Sequence, residues 1–204
     1  TITAGAGTVT LTGGEGNDTL VLGTYHSSSD SYDGGAGTDS ATLDVTTTVA
    51  PTLTNVEQVT VGFTTGGAFN AGNSSSLSKI TIEEATDATA ANATVINIAS
   101  GTQIVVSDSD AVADNDIGAV TVDSVSGASA TITANIATGA ALTVTDVADL
   151  TINAASAGTA SSFGSVVLDD TDTTALTVTG ANTGYALTTG AVTGTNKVAT
   201  ISAS

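Results

Sequence analysis

Short apolar runs, many of them alternating with threonine, punctuate most of this chain. From Leu77 onward they are Ile80-Thr81-Ile82, Val95-Ile96-Asn97-Ile98, Ile104-Val105-Val106, Val120-Thr121-Val122, Ile132-Thr133, Leu142-Thr143-Val144, Leu150-Thr151-Ile152, Val166-Val167-Leu168, Leu176-Thr177-Val178 and Val198-Ala199-Thr200-Ile201. Apolar side chains at every second position send one set inward and the other outward, so each run predicts a short strand. The runs recur at intervals of roughly 8 to 16 residues, separated by Gly, Ala, Ser, Asn and Asp. Residues 83–93, the nearest thing to a helical stretch, are broken by Thr and Asp. The pattern predicts an all-β chain.

Two architectures meet that rhythm: an antiparallel β-sandwich, and a short-stranded parallel β-solenoid, β-roll-like, in which each strand stacks on the previous turn. Irregular spacing argues for the sandwich, because repeat proteins usually show a clean period. Composition argues the other way. Aromatics are 3% of the 204 residues and there is no Trp, Met or Cys, so the core must be built from Val, Ile, Leu and Ala, which suits a narrow solenoid interior. The solenoid is the expected fold.

Texture divides the chain into two stretches, with one continuous domain as the alternative. Residues 1–45 are rich in Gly and Asp; residues 46–204 form a Thr/Ala/Val-rich β-repeat region, whose first part, to about residue 78, holds Pro51, Phe63 and Phe69. With 40% hydrophobic residues the chain is expected to fold despite a net charge of −18. Its start, Thr1-Ile2-Thr3-Ala4-Gly5, reads as that of a processed product or fragment.

Charge removes whole classes of function. The only cations among the side chains are Lys79 and Lys197, so the clustered Lys and Arg that nucleic-acid phosphates require are missing. An anionic membrane surface would repel the chain, and no apolar run approaches the roughly 20 residues of a membrane span. Without Cys there are no disulfides, no thiolate zinc site and no thiol nucleophile. Twenty carboxylates instead suggest divalent cations as the staple.

One stretch is specific. Residues 13–21, Gly-Gly-Glu-Gly-Asn-Asp-Thr-Leu-Val, match the nonapeptide G-G-x-G-x-D-x-U-x at every defined position, U being a large aliphatic. Residues 34–42 keep the loop but put Ala41 at the aliphatic position; residues 4–12 form a degenerate copy with Val9 in place of the aspartate. Glycines permit positive φ and close backbone approach, so such a loop can turn its carbonyls inward while the aspartate adds a carboxylate. The candidate calcium ligands are therefore Gly13, Gly14, Gly16 and Asp18 in one loop and Gly34, Gly35, Gly37 and Asp39 in the other. Calcium takes six to eight oxygens, so loops must share an ion. Sharing is expected between tandem copies nine residues apart, and the two intact copies are 21 apart, which predicts few sites.

On these residues the sequence resembles the RTX (repeats-in-toxin) proteins of type I secretion. The run from Asp33-Gly34-Gly35-Ala36-Gly37-Thr38-Asp39 through Leu43, followed by Asn55-Val56-Glu57-Gln58-Val59-Thr60-Val61, is similar to bacterial surface-layer and large adhesin proteins of that class. The resemblance adds Asp33 to the metal candidates. It implies export from a bacterium, calcium-triggered folding outside the cell and assembly at the cell surface. Val9, Ala41 and the missing tandem array depart from the pattern.

Other groups carry less. Asp108, Asp110, Asp114 and Asp116 form an acidic cluster that fails as an EF-hand, with Ala113 where the glycine belongs and Ala119 where the glutamate belongs, but keeps a non-EF-hand calcium site open. Asp169, Asp170 and Asp172 are a weaker cluster. His26, the only histidine, has no nucleophile-elbow serine to serve and reads as a surface residue. Tyr25, Tyr32 and Tyr185 are expected at edges or loops, and Phe63, Phe69 and Phe163 as plugs of the core. Glu83 and Glu84, adjacent on a strand, point to opposite faces and cannot flank one bond.

No catalytic constellation is left, so an enzyme is not expected. The leading expectation is an extracellular structural protein that assembles with itself into a calcium-dependent surface layer or filament, with cell-surface polysaccharide as a further partner and neither nucleic acid nor membrane insertion. A repeat or binding module of a large secreted adhesin is the alternative. Ice binding is a remote case of it, because the Thr-x-Thr pairs are irregularly spaced.

Overall fold

The computed structural model describes residues 1–84, 91–107, 117–135, 141–154, 162–163, 165–168, 175–180, 188–189, 192–194 and 200–203. The acidic clusters at Asp108, Asp110, Asp114 and Asp116 and at Asp169, Asp170 and Asp172, together with Tyr185 and Lys197, lie outside the described residues.

The alternating runs become strands that stack in parallel as a β-solenoid. On the first face, Ile2–Thr3, Thr19–Gly23, Ser40–Val45, Gln58–Phe63, Lys79–Glu84 and Gln103–Ser107 lie in order, each hydrogen-bonded to the next. The C-terminal parts of Ile117–Asn135 and Ala141–Ala154 continue this face, followed by Ala175–Gly180 and Thr200–Ala203. On the second face Thr10–Glu15, Ser31–Ala36 and Thr52–Thr54 form one ladder. A second ladder on that face runs from Ala68–Asn70 through Ala91–Ile98 to the N-terminal parts of the two long strands, then Ser165–Leu168 and Val192–Gly194. The first face runs unbroken from Ser40–Val45 to Gln58–Phe63, across the point where composition changes.

Period-2 alternation sets what goes inside. Leu20, Ala41, Val59, Ile80, Ile104, Ile132 and Ile152 occupy one column, each in register with the next and each at most 1% exposed. Between them Thr42, Thr60 and Thr81 stand in register on the solvent side. Burying an aliphatic side chain this completely is worth about 1.5–3 kcal/mol, so the column and its counterpart on the other face carry the stability of a chain poor in aromatics. Phe63 and Phe69 plug the core as expected, at 1% and 0% exposure. Tyr32 does not follow its expectation: it is fully buried, in register between Leu11 and Leu53.

The irregular spacing that argued against a solenoid has a simple cause. Successive residues of the core column are offset by 21 (Leu20 to Ala41), 18 (Ala41 to Val59), 21 (Val59 to Ile80), 24 (Ile80 to Ile104), 28 (Ile104 to Ile132) and 20 (Ile132 to Ile152). The stacked strand segments stay similar; the chain between them changes length. The corners are where chain can be added without moving a strand, and Asn55, Asn97 and Asp146 adopt positive φ of 50°, 58° and 58° there.

The same stacking bears on the Thr-x-Thr pairs. Thr131 and Thr133 are opposite Thr151 and Asn153, which are opposite Thr177 and Thr179, so uneven spacing in sequence becomes register in space. On the turns before them Gln58, Lys79 and Gln103 occupy one of the two positions, so the threonine columns are interrupted.

Candidate functional site

Two edges join the faces. At the first, chain passes from the second face to the first through residues 16–18, 37–39 and 55–57; at the second it returns through 4–9, 24–30 and 46–51. A strand plus its corner uses about nine residues, so a shift of nine moves the chain to the opposite edge. The degenerate copy at 4–9 therefore does not adjoin 13–18. The loop that does is 34–39, one full turn on, with Gly14 opposite Gly35 and Glu15 opposite Ala36. The 21-residue separation is the turn itself, so the loops that stack are one full turn apart rather than nine residues apart.

The glycines are dictated by this stacking. A Cβ on Gly13 would run into the Gly34 carbonyl and the Asp18 carboxylate; one on Gly34 would meet the Asn55 carbonyl and the Asp39 side chain. A Cβ on Gly35 would meet the Gly14 backbone and one on Gly37 the Gly16 carbonyl, and Gly14 and Gly16 have φ of 116° and 91°. No larger residue lets one loop settle on the other.

The carboxylates tie the turns together. Asp18 N–H donates to Asp39 Oδ1 at 2.6 Å, and Asp39 N–H donates to Glu57 Oε2 at 2.7 Å. The Glu57 carbonyl then accepts the Ser78 N–H at 2.9 Å and the Ser78 hydroxyl at 3.1 Å. Each acidic side chain thus satisfies a backbone donor that the corner would otherwise bury unpaired. Asp33 Oδ1 accepts from Gly35 N–H at 3.0 Å and from Asn55 Nδ2 at 2.9 Å, and Asn17 Oδ1 accepts from Thr38 N–H at 3.0 Å.

One carboxylate oxygen at this edge is buried without a partner. Asp39 is 1% exposed, and its Oδ2 is buried without a hydrogen bond. One turn below, Asp18 is 20% exposed, with Oδ1 4.0 Å from the Thr1 ammonium. An orphaned carboxylate oxygen, a second carboxylate one turn away and the carbonyls of two stacked glycine loops are all oxygen donors, the kind a hard divalent cation such as calcium takes. Among the described residues no three acidic or histidine side chains converge as a metal group, so a cation here would take its remaining ligands from backbone carbonyls.

The second edge repeats the device with a residue that lies outside any glycine motif. Asp30, 1% exposed, accepts Val9 N–H on Oδ1 at 2.8 Å, and on Oδ2 accepts Ser27 N–H at 2.6 Å and the Tyr32 hydroxyl at 3.2 Å. Burial alone would raise its pKa, but these donors outweigh it and hold the carboxyl below its usual range. Burial and the Asp30 charge push the Tyr32 hydroxyl up. A signal was present: Asp30-Ser31-Tyr32 has the aspartate, small residue and large apolar residue of Asp18-Thr19-Leu20, and Glu57-Gln58-Val59 is its glutamate version.

Beside Asp30 the loops 4–9 and 24–30 enclose an open groove of about 420 Å³, lined by Ala6, Gly7, Thr8, Thr24, Tyr25, His26, Ser27 and Asp30. His26 is half-buried; its Nε2 lies 2.7 Å from the Asp44 carbonyl, to which it can only donate, while Nδ1 is buried and unpartnered. No family model, curated protein or solved structure matches the chain.

Proposed function

We propose that this chain is an extracellular structural segment, a solenoid stiffened by calcium at its first edge, that assembles with copies of itself in a bacterial surface layer or filament. The solenoid fold is consistent with a repeat-type structural or binding module. The observation that carries the finer reading is the stacking of loops 13–18 and 34–39 with Asp39 Oδ2 buried and unpaired between turns. Bound calcium would supply positive charge there; Asp18, Asp39 and the glycine carbonyls would hold it. The net charge of −18 makes copies repel, and divalent cations between acidic faces are the simplest way to offset that. A binding module of a larger adhesin is the second reading, favoured by the groove at the other edge. No hydrolase, lyase or transferase turnover is expected, and an activity that survives purification and is abolished by one Asp→Asn change would count against both readings.

The test is calcium titration of the parent and of Asp39→Asn, followed by melting, circular dichroism and electron microscopy with and without chelator. Asparagine keeps an acceptor for the Asp18 N–H while removing the charge, which separates cation binding from capping. Calcium at a hundredfold excess over Kd should stabilise the parent by about 2.7 kcal/mol, and Asp39→Asn much less. Chelation should disperse any lattice. If chelator leaves melting and assembly of the parent unchanged, the glycines and aspartates are structural only.

A further inference from the structure

We propose that the groove at the second edge is a binding site for a neutral, pyranose-based saccharide. Tyr25 is the first reason. Of the aromatic side chains described, Tyr32, Phe63 and Phe69 are at most 1% exposed, whereas Tyr25 is 57% exposed at the groove. Among the described residues of a chain with six aromatics, this large ring stands in solvent beside a concavity. Such a ring offers a flat apolar face with a polar tip, which matches the apolar C–H face of a pyranose and its equatorial hydroxyls.

The rest of the lining has the complementary chemistry. Thr8, Thr24 and Ser27 bring hydroxyls that can both donate and accept, as sugar hydroxyls do. Ala6 and Gly7 contribute little bulk, and a Cβ built on Gly7 meets nothing within 4 Å, so the space above this loop is open. The His26 ring, anchored through Nε2 to the Asp44 carbonyl, forms a fixed wall.

Charge selects the class of sugar. Among the described residues no Lys or Arg lines the groove, and both Asp30 oxygens are already engaged by Val9, Ser27 and Tyr32. A carboxylated or sulfated polymer would find no counter-charge here and would meet a chain of net charge −18. About 420 Å³ falls within the ~300–1,000 Å³ of small-ligand sites. Because the groove is open, it suits a few units of a longer chain passing across the corner.

This names a partner for the surface reading above, yet it uses none of the calcium ligands, so the two can fail separately. Cellohexaose, maltohexaose and mannohexaose are titrated into the intact chain in calcium and again in chelator. Tyrosine emission, which no Trp obscures, and the ring signals of Tyr25 and His26 are followed by NMR, with dextran sulfate as the anionic control. At least one hexaose should give saturable shifts at Tyr25 at millimolar concentration or below. Tyr25→Ala should weaken that binding at least tenfold with an unchanged circular dichroism spectrum, while Tyr25→Phe should stay within about threefold. No saturable response to any hexaose, an equal response in Tyr25→Ala, or equal binding of dextran sulfate would each overturn the site. Sugar binding that persists in chelator leaves this proposal standing even if the calcium reading falls.

Discussion

The two edges solve one problem with different sequences. Each must let the chain reverse from face to face while burying backbone N–H groups against the next turn. At the first edge Asp39 caps the Asp18 N–H across 21 residues; at the second Asp30 caps the Val9 N–H across the same distance. The first edge needs glycines because its loops lie backbone on backbone, and so it reads as a motif. Loops 4–9 and 24–30 stand further apart, leave a groove between them, and tolerate Ser, His and Tyr. The difference teaches that the carboxylate is the shared element of this solenoid, whereas glycine marks either close approach, as at Gly13 and Gly34, or a positive φ, as at Gly7 and Gly16. It also separates the two acids: both Asp30 oxygens are engaged, whereas Asp39 keeps one free.

The sharpest way to break the comparison is at Gly34. Gly34→Ala drives a methyl into the Asn55 carbonyl and the Asp39 carboxylate, so the turns must separate, at a cost of roughly 3 kcal/mol or more in denaturant unfolding. Gly5→Ala, on the other edge, meets nothing within 4 Å and should change stability by less than about 0.5 kcal/mol. Equal effects would mean that the edges are packed alike.

Next in size is removal of the carboxylates. Asp30→Ala strands two backbone N–H groups and the buried Tyr32 hydroxyl, which should cost about 2–4 kcal/mol in calcium and in chelator alike. Asp39→Ala should cost more in calcium than in chelator, because it also removes a cation ligand. Unfolding of the two variants under both conditions decides whether only the first edge is metal-linked. Tyr32→Phe, which removes one donor to Asp30, should cost about 1 kcal/mol and should raise the Asp30 pKa.

The smallest effects lie in the pH profile, and they have opposite signs. Asp30 has a lowered pKa in the fold, so the stability it adds is present above the unfolded carboxylate value of about 3.9 and is lost as pH falls through the folded one. Burial, and then the charge of Asp146, raise the pKa of Asp123, so its ionisation costs stability as pH climbs from about 3.9 through the raised value. Asp123→Asn should therefore stabilise the protein at neutral pH by up to about 0.5 kcal/mol and leave the profile below pH 4 unchanged. A variant less stable at pH 7 would show that Asp123 makes a favourable contact that its raised pKa hides.

Much of this was legible because it is local. Val144, Ile152 and Ile80 could be placed inward from alternation alone, and each is fully buried, because a side chain's face in a strand depends on its immediate neighbours. The glycine loops were legible for the same reason. Asp30 was missed because its corner lacks glycine. Tyr32 was misplaced because a phenol hydroxyl argues for an edge until a buried carboxylate is found to accept it.

By itself, the sequence determined that the chain is β, which side chains face inward, and that one edge is acidic and glycine-rich. Only the tertiary structure decided which loop lies on which. Stacking partners are 18 to 28 residues apart along the core column, and corners lengthen without disturbing the strands, so no fixed period announces them. Register is fixed by the core column and by carboxylates reaching across a full turn. That is why 13–18 meets 34–39 rather than 4–9, and why one oxygen of Asp39 is left buried and free.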